Sequence, residues 1–304
     1  MGKTIEAYHV PVMLGECITG LNIKGNGVYV DVTFGGGGHS KEILKHLGPE
    51  GRLYAFDQDN DAIQNLPDDE RMVFINHNFR YIYQFLDYLK AIPVDGILAD
   101  LGISSYQINE AEKGFAHRLN GQLDMRMDRS SSLSAATIVN EYDEKQLSRI
   151  FKIYGEINNA YKLATALIEV RKTAPIKTIE DFKNAIKNCI PGKEESKYLS
   201  QVFQALRIEV NAEMQALEAL LAASPKLLKT GGRLVVMSYH SLEDRLVKNF
   251  IASGNTEGTI EKDVFGNSSK PFNAVTKKPV IPTEKEINEN KRARSAKLRI
   301  AEKN

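Results

Sequence analysis

Gly35-Gly-Gly-Gly38 follows a short apolar run rich in β-branched residues, Val28-Tyr-Val-Asp-Val-Thr-Phe34, and leads into His39-Ser-Lys-Glu-Ile-Leu-Lys-His-Leu47. Ile43, Leu44 and Leu47 have helical spacing. Strand, glycine turn and helix together make a place where a ligand can meet bare backbone. Glycine admits φ > 0 and carries no side chain to hold the ligand off, and the helix start adds unpaired N–H donors. A second signal follows in Gly51-Arg-Leu-Tyr-Ala-Phe-Asp57. An acid at the tip of a second strand, about 20 residues past the glycines, is placed to accept hydrogen bonds from ribose hydroxyls. A Gly-x-Gly-x-x-Gly fingerprint would need glycine at Ser40 or Lys41, so nothing marks a pyrophosphate site. A ligand with adenosine but no phosphate suits the pattern better. The competing reading is a Gly-rich surface loop between a strand and a helix.

The elements that must position these residues alternate. Strands are expected at residues 28–34, 52–57, 72–75 and 94–100, with helices at 40–47, near 61–65 and at 81–89. Such alternation means a mostly parallel sheet with crossover helices, whose ligands bind outside the C-terminal strand ends. The glycine turn with His39, and then Asp57, Phe79 and Asp100, all fall at such ends. From about Tyr142 the pattern turns helical. Asp143-Glu-Lys-Gln146 reads as a capping box, and Leu147, Ile150, Phe151 and Tyr154 follow at helical spacing. Leu163, Ala166, Leu167 and Val170 repeat it, Thr178-Ile-Glu-Asp181 opens another helix, and Val202, Phe203, Leu206 and Val210 line a fourth. The α/β pattern returns with a helix over 212–229, a bend expected at Pro225, and a strand after Gly231-Gly232 reaching Ser238. Leu242, Leu246 and Phe250 mark a helix, and residues 297–301 an edge strand. The expected organisation is a discontinuous α/β domain of residues 1–110 and 212–304, with an inserted helical domain at 111–211.

The 304 residues allow two domains, and 42% hydrophobic with 26% charged residues is ordinary for a globular chain. With a formal net charge of +1, any nucleic-acid binding must come from a local basic patch. The two cysteines, Cys17 and Cys189, have no metal-like spacing and suit a reducing, cytoplasmic setting, with no metal expected. No apolar run approaches membrane-spanning length, and the N-terminus lacks the apolar core of a signal peptide.

Four blocks carry a resemblance to a known family: Asp31-Val-Thr-Phe-Gly-Gly-Gly-Gly-His-Ser40, Asp95-Gly-Ile-Leu-Ala-Asp-Leu-Gly-Ile-Ser-Ser105, Leu123-Asp-Met-Arg-Met-Asp128 and Ser238-Tyr-His-Ser-Leu-Glu-Asp244. They resemble the signature blocks of the RsmH (MraW) family, bacterial 16S ribosomal RNA cytosine-N4 methyltransferases. His9-Val-Pro-Val-Met-Leu14, Tyr154-Gly-Glu156, Phe203-Gln-Ala-Leu-Arg207 and Arg292-Ala-Arg-Ser295 extend the likeness over nearly the whole chain, in the same order. The resemblance implies a Rossmann-like S-adenosylmethionine-dependent methyltransferase with an inserted all-helical domain for substrate recognition. Its substrate would be a cytidine amine in the decoding region of 16S ribosomal RNA, met within the small ribosomal subunit, and a homodimer stays open. Carried over by position, the cofactor contacts fall on Gly37, Gly38, His39, Asp57, Phe79, Asp100 and Gln107. The chain departs from many relatives at Ile157-Asn-Asn-Ala160 and at Lys193-Glu-Glu-Ser-Lys-Tyr198, where basic residues are common.

In that chemistry Asp100 and His240 are the catalytic candidates. Asp100 could hold the cofactor or orient the target amine; it could instead cap the next turn. His240 could meet a flipped nucleotide or bond to backbone. Phe79 could stack on adenine or fill the core, and Gln107 could be surface. Asp124, Arg126 and Asp128 alternate with Met125 and Met127, which puts three charges on one face of an extended segment. They are candidates for holding the target base, or a solvated edge. Phe115, Tyr106 and Tyr239 could receive a splayed base, and Lys291, Arg292, Arg294, Lys297 and Arg299 could meet phosphates. Two other classes stand against the enzyme reading: a non-catalytic ribosomal RNA-binding assembly factor, and a small-molecule methyltransferase.

Overall fold

A computed structural model describes residues 11–260 and 270–304. His9 and Val10 of the opening motif lie outside the described residues. In chain order, α1 (Leu14–Leu21) precedes β1 (Val28–Asp31), α2 (Gly38–His46), β2 (Arg52–Phe56), β3 (Met72–Ile75), α3 (Ile82–Tyr88) and β4 (Val94–Asp100). Six helices follow without an intervening strand: α4 (Ser105–Asn109), α5 (Ala135–Glu141), α6 (Glu144–Ile153), α7 (Ala160–Arg171), α8 (Ile179–Ile186) and α9 (Glu195–Asn211). Then come α10 (Glu213–Leu227), β5 (Leu228–Ser238), α11 (Ser241–Ser253), β6 (Phe272–Ala274), α12 (Glu284–Glu289) and β7 (Lys297–Lys303). The chain divides into two compact units, Met1–Gly102 with Met214–Asn304, and Ile103–Glu213.

The first unit is built on a seven-stranded sheet of order β3-β2-β1-β4-β5-β7-β6. β1 through β5 pair in parallel, and β7 runs antiparallel to both β5 and β6. The expected edge strand is therefore interior: Arg233 to Ser238 pair with Glu302 to Lys297, and the short β6 forms the edge. That position depends on pairing with distant residues, which local pattern does not encode. Successive side chains of a strand serve opposite cores. Ile97 and Ala99 join Leu217, Leu221 and Phe250 on one face, while Leu98 joins Cys17, Ile43 and Leu44 on the other. In β5 the pairing shifts register between Val94–Leu228 and Gly96–Arg233, so residues 229–232 bulge out around Gly231 at φ 77°. The expected glycine stop is thus a bulge within a longer strand.

Pro225 does not break α10. A proline there leaves the Leu221 carbonyl without its helical N–H donor, and the buried Ser224 hydroxyl donates to that carbonyl at 2.8 Å.

The second unit has three reciprocal capping boxes, Ser104 with Gln107, Asp143 with Gln146 and Thr178 with Asp181. Leu147, Ile150 and Phe151 are buried, as the spacing requires. Leu123, Met125 and Met127 are also buried, and Asp124, Arg126 and Asp128 share the other face. Arg126 pairs with both Asp124 oxygens at 2.7 and 2.8 Å and donates to the Ser131 carbonyl at 2.7 Å and the Arg129 carbonyl at 3.2 Å. Arg126→Met is therefore expected to destabilise this unit by about 2 kcal/mol. Urea denaturation followed by circular dichroism checks this; an unchanged midpoint would make the network dispensable.

Candidate active site

Side-chain bonds stitch the strand tips of the first unit together. Asp31 closes β1 while buried, and a buried carboxylate needs donors. Its Oδ1 accepts from the Thr33 N–H at 3.0 Å and the Thr33 hydroxyl at 3.3 Å, and its Oδ2 from the Ser40 hydroxyl at 2.7 Å. Thr33 Oγ1 in turn accepts from the Asp100 N–H at 2.7 Å, which fixes the end of β4 against β1.

The glycine turn crosses these tips. Gly35 and Gly37 lie at φ 52° and 76°, a region that side chains disfavour. Gly37 is the N-cap of α2, and no side-chain cap bond closes that helix start. A Cβ added at Gly38 would lie 2.2 Å from Pro11 Cγ, so a packed proline demands this glycine as firmly as any ligand would.

Asp57 ends the second strand. Its Oδ2 accepts from the Gly35 N–H at 2.7 Å and its Oδ1 from the Asp59 N–H at 2.8 Å. Burial pushes its pKa up to about 6 against those two donors, and the Asp59 and Asp31 charges add to the rise. Each oxygen keeps a second lone pair, so the carboxylate can still accept from a ligand hydroxyl. The Asn76 amide donates to the Asp57 carbonyl at 2.9 Å, and the Asn78 amide to Gln58 at 2.7 Å. Asn78 also caps the turn that carries Phe79, whose ring packs partly buried against the core. Asp57 and Phe79 thus stand on adjoining, mutually bonded turns.

Asp100 is the other carboxylate at this edge. Tyr239 donates its hydroxyl to Asp100 Oδ1 at 2.8 Å. His39 presents Nδ1 at 3.6 Å to Asp100 Oδ2, while its Nε2 lies 3.2 Å from the Val12 carbonyl. With Nε2 donating to that carbonyl, only the doubly protonated ring also offers an N–H to Asp100. Burial raises the Asp100 pKa; the His39 charge, the Tyr239 hydrogen bond and the Arg292 charge pull it back, and Asp31 pushes it up. The side chain keeps 24% of its surface exposed, so a ligand can reach it.

Gln107, Asp124, Arg126 and Asp128 belong to the second unit. Gln107 is the N3 residue of the α4 capping box: its Oε1 accepts from the Ser104 N–H at 3.0 Å. Asp124 and Arg126 bind each other, and Asp128 Oδ1 accepts from the Ser130 N–H and hydroxyl at 2.8 and 2.7 Å. His240 is the N-cap of α11, with Nδ1 3.4 Å from the Glu243 N–H and Nε2 3.2 Å from Glu243 Oε1. That is the geometry of the backbone-bonded histidine weighed above. The basic tail divides between cations paired with Asp244 and exposed ones. Arg299 binds both Asp244 oxygens at 2.7 and 3.2 Å, and Lys297 lies 3.5 Å from the same carboxylate. Burial depresses the Arg292 pKa, while the Tyr239 and Asp100 charges raise it. Lys291 and Arg294 stay exposed. The two departures in the helical unit meet each other: the Tyr198 hydroxyl donates to Asn159 Oδ1 at 2.9 Å.

Two residues of this edge, Asp31 and Glu243, escaped the sequence reading as site residues, and so did one bond. Asp31 carried a signal, a charge inside an apolar run, which only a donor-rich strand end could accommodate. Glu243, 3% exposed, carried one too, as N3 after an N-cap. The Tyr239–Asp100 bond joins residues 139 positions apart and had none.

A doubly wound sheet with a bare-backbone turn after β1 and an acid at the strand tip on either side of it defines an enzyme of Rossmann-like architecture for a nucleoside-bearing ligand. The MraW methylase family matches residues 6–304, and the chain belongs to that family. It is 54% identical over 304 residues to "Ribosomal RNA small subunit methyltransferase H" of Parabacteroides distasonis, covering 100% of both chains. The protein of that name from Bacteroides thetaiotaomicron is 53% identical over 303 residues, again with 100% of both covered. Among solved structures, an rRNA methylase from Streptococcus thermophilus aligns over 96% of this chain and 94% of its own, at 14% identity and TM-score 0.39, a likeness too slight to bear on function. The fold is thus a Rossmann-like methyltransferase unit interrupted in sequence by a helical one. Among the described residues no helix is long and apolar enough to cross a membrane.

Proposed function

We propose that this protein transfers a methyl group from S-adenosyl-L-methionine to the exocyclic N4 amine of a cytidine in the decoding region of 16S ribosomal RNA. The observation that carries this reading is the pair of acids, Asp57 and Asp100, set on bonded strand tips beside a glycine turn in a chain of the MraW methylase family. The ribosomal RNA substrate is supported by the names of relatives that match from end to end. The residues fit the cofactor: spare lone pairs on Asp57 for the ribose, the uncapped start of α2 at Gly37, Gly38 and His39, and the partly exposed Phe79 ring for the adenine. When bound, the cofactor supplies a methyl group activated by its sulfonium.

The remaining task falls to the protein. The amine lone pair of cytosine is delocalised into the ring, so the nitrogen is a poor nucleophile. An acceptor aimed at an amine proton favours the geometry in which the lone pair can attack, and a carboxylate there also stabilises the positive charge that develops. Asp100 takes both roles in this reading. No strong base is needed beforehand, since the nitrogen becomes very acidic once methylated. The target base must leave its stack to reach the site. We assign its recognition to the helical unit, with Asp124, Arg126 and Asp128 as candidate contacts, while Gln107 stays a candidate cofactor contact, and a cytoplasmic setting follows from that substrate.

The test is methyl transfer from labelled S-adenosyl-L-methionine to small subunits lacking the modification, with nucleoside analysis of the product. N4-methylated cytidine from one decoding-region position is the expected product. RNA binding without label transfer would leave an assembly factor; transfer to a small molecule without RNA would leave a small-molecule enzyme.

A further inference from the structure

We propose that Tyr239 is a positioning residue for the Asp100 carboxylate, fixing through its phenolic hydrogen bond which carboxylate oxygen is left for the acceptor amine. The proposal rests on the reading that Asp100 orients that amine. Tyr239 was first a candidate for stacking on a splayed base. Its geometry gives it another role. The hydroxyl donates to Asp100 Oδ1 at 2.8 Å, so the rotation of the carboxylate is set and the acceptor amine is left Oδ2, which His39 Nδ1 faces at 3.6 Å, beyond hydrogen-bond distance. The backbone of Asp100 is held separately by Thr33.

Tyr239 is itself held at both ends. Its backbone N–H donates to Glu243 Oε2 at 2.8 Å, and Glu243 is a buried member of the α11 capping box. Its ring covers Gly102: a Cβ added there would lie 3.4 Å from ring Cδ2. A phenylalanine would fill this space equally well. The hydroxyl therefore has its use in the bond to Asp100, a charge-assisted bond of the stronger kind.

The direction of that bond is fixed. Burial, and then the Asp100 charge and hydrogen bond, push proton loss from Tyr239 far above the ordinary phenol range. Tyr239 is a permanent donor and cannot serve as a base. Its donation in turn favours the charged form of Asp100, against the burial that favours the neutral one. Among the described residues, the other titratable groups coupled to Asp100 are His39 on α2, Asp31 on β1, Arg292 in the turn before β7 and Cys17 on α1.

The test is Tyr239→Phe, assayed across pH. With the donor gone, Asp100 takes up a proton more readily, so the acid limb of kcat is expected to move to higher pH. At neutral pH kcat is expected to fall about tenfold, while the cofactor Kd and the KM for RNA stay within about twofold. Tyr239→Phe in an Asp100→Asn background is expected to cost nothing more. Should Tyr239→Phe fail to fold, 3-fluorotyrosine at position 239 keeps the ring and strengthens the donor, and the limb is expected to move to lower pH. An unmoved limb with unchanged kcat would overturn the proposal, as would a raised KM with unchanged kcat, which would make Tyr239 a stacking surface. Full activity in Asp100→Asn would instead overturn the reading beneath it.

Discussion

Asp100→Asn is expected to lower kcat for methyl transfer by about 10²- to 10³-fold, with the thermal midpoint nearly unchanged. The substitution isolates charge from shape. The amide keeps an oxygen that can accept from the Tyr239 hydroxyl, and the backbone N–H still donates to Thr33 Oγ1. In the proposed arrangement the lost element is the negative charge beside the nitrogen as that nitrogen becomes cationic, in surroundings where charge is weakly screened. Loss of that interaction falls on kcat, because the neutral amine of the ground state gains less from it than the charged product does. The wild-type profile carries a matching sign. Burial raises the Asp100 pKa above the ordinary carboxylate value, so activity that needs the carboxylate fades as pH falls through that raised value, and the asparagine enzyme has no such limb. Single-turnover label transfer at several pH values reads both. Activity within threefold of the parent would remove Asp100 from the reacting centre.

The strength of this expectation comes partly from how different kinds of residue declared themselves. β3 and β4 have the limits expected from the sequence, because both are near-continuous apolar runs bounded by polar turns, β4 in the sheet interior and β3 at its edge. The Asp143 capping box is also as read, since both its bonds join residues three apart. α5 was not foreseen: it has seven residues, and its cap is a lone Ser134 within a serine-rich stretch. Period two put Asp124, Arg126 and Asp128 on one face, but alternation cannot show that a charge is bound to its neighbour. Spacing is equally silent on the ion pairs of the basic tail. Arg299 reads as a free cation until Asp244, 55 positions away, is brought beside it. Local signals fix faces and caps; long-range partners decide which charges remain for a ligand. Asp57 kept its expected place because strand and turn alone put it there, and what folding added was its two backbone donors and its raised pKa.

With Asp57 as the proposed ribose acceptor, that raised pKa is expected to make cofactor affinity a function of pH. The unfolded carboxyl titrates near 3.8, while in the folded protein burial lifts it to about 6. Its contribution to stability is therefore greatest below the lower value, where both states are protonated, and shrinks as pH rises through about 6, because the charge must then be carried in a desolvated site. Ligand binding runs the other way. Two ribose hydroxyls are donors and need the carboxylate, so a bound nucleoside favours the charged form and affinity rises with pH over the same range. For a single group of pKa about 6, the apparent Kd for S-adenosylhomocysteine is expected to be about tenfold weaker at pH 5 than at pH 7. Asp57→Asn should flatten that profile and weaken binding at pH 7 by roughly 10- to 100-fold, the worth of hydrogen bonds to a charged acceptor. The amide offers one oxygen where Gly35 and Asp59 both donate, so a melt of the free variant must accompany the titration to separate a loosened turn from a lost contact. Calorimetry at the two pH values is the measurement. An affinity that ignores pH in the parent and survives Asp57→Asn would take the ribose away from Asp57, whatever the fate of Asp100.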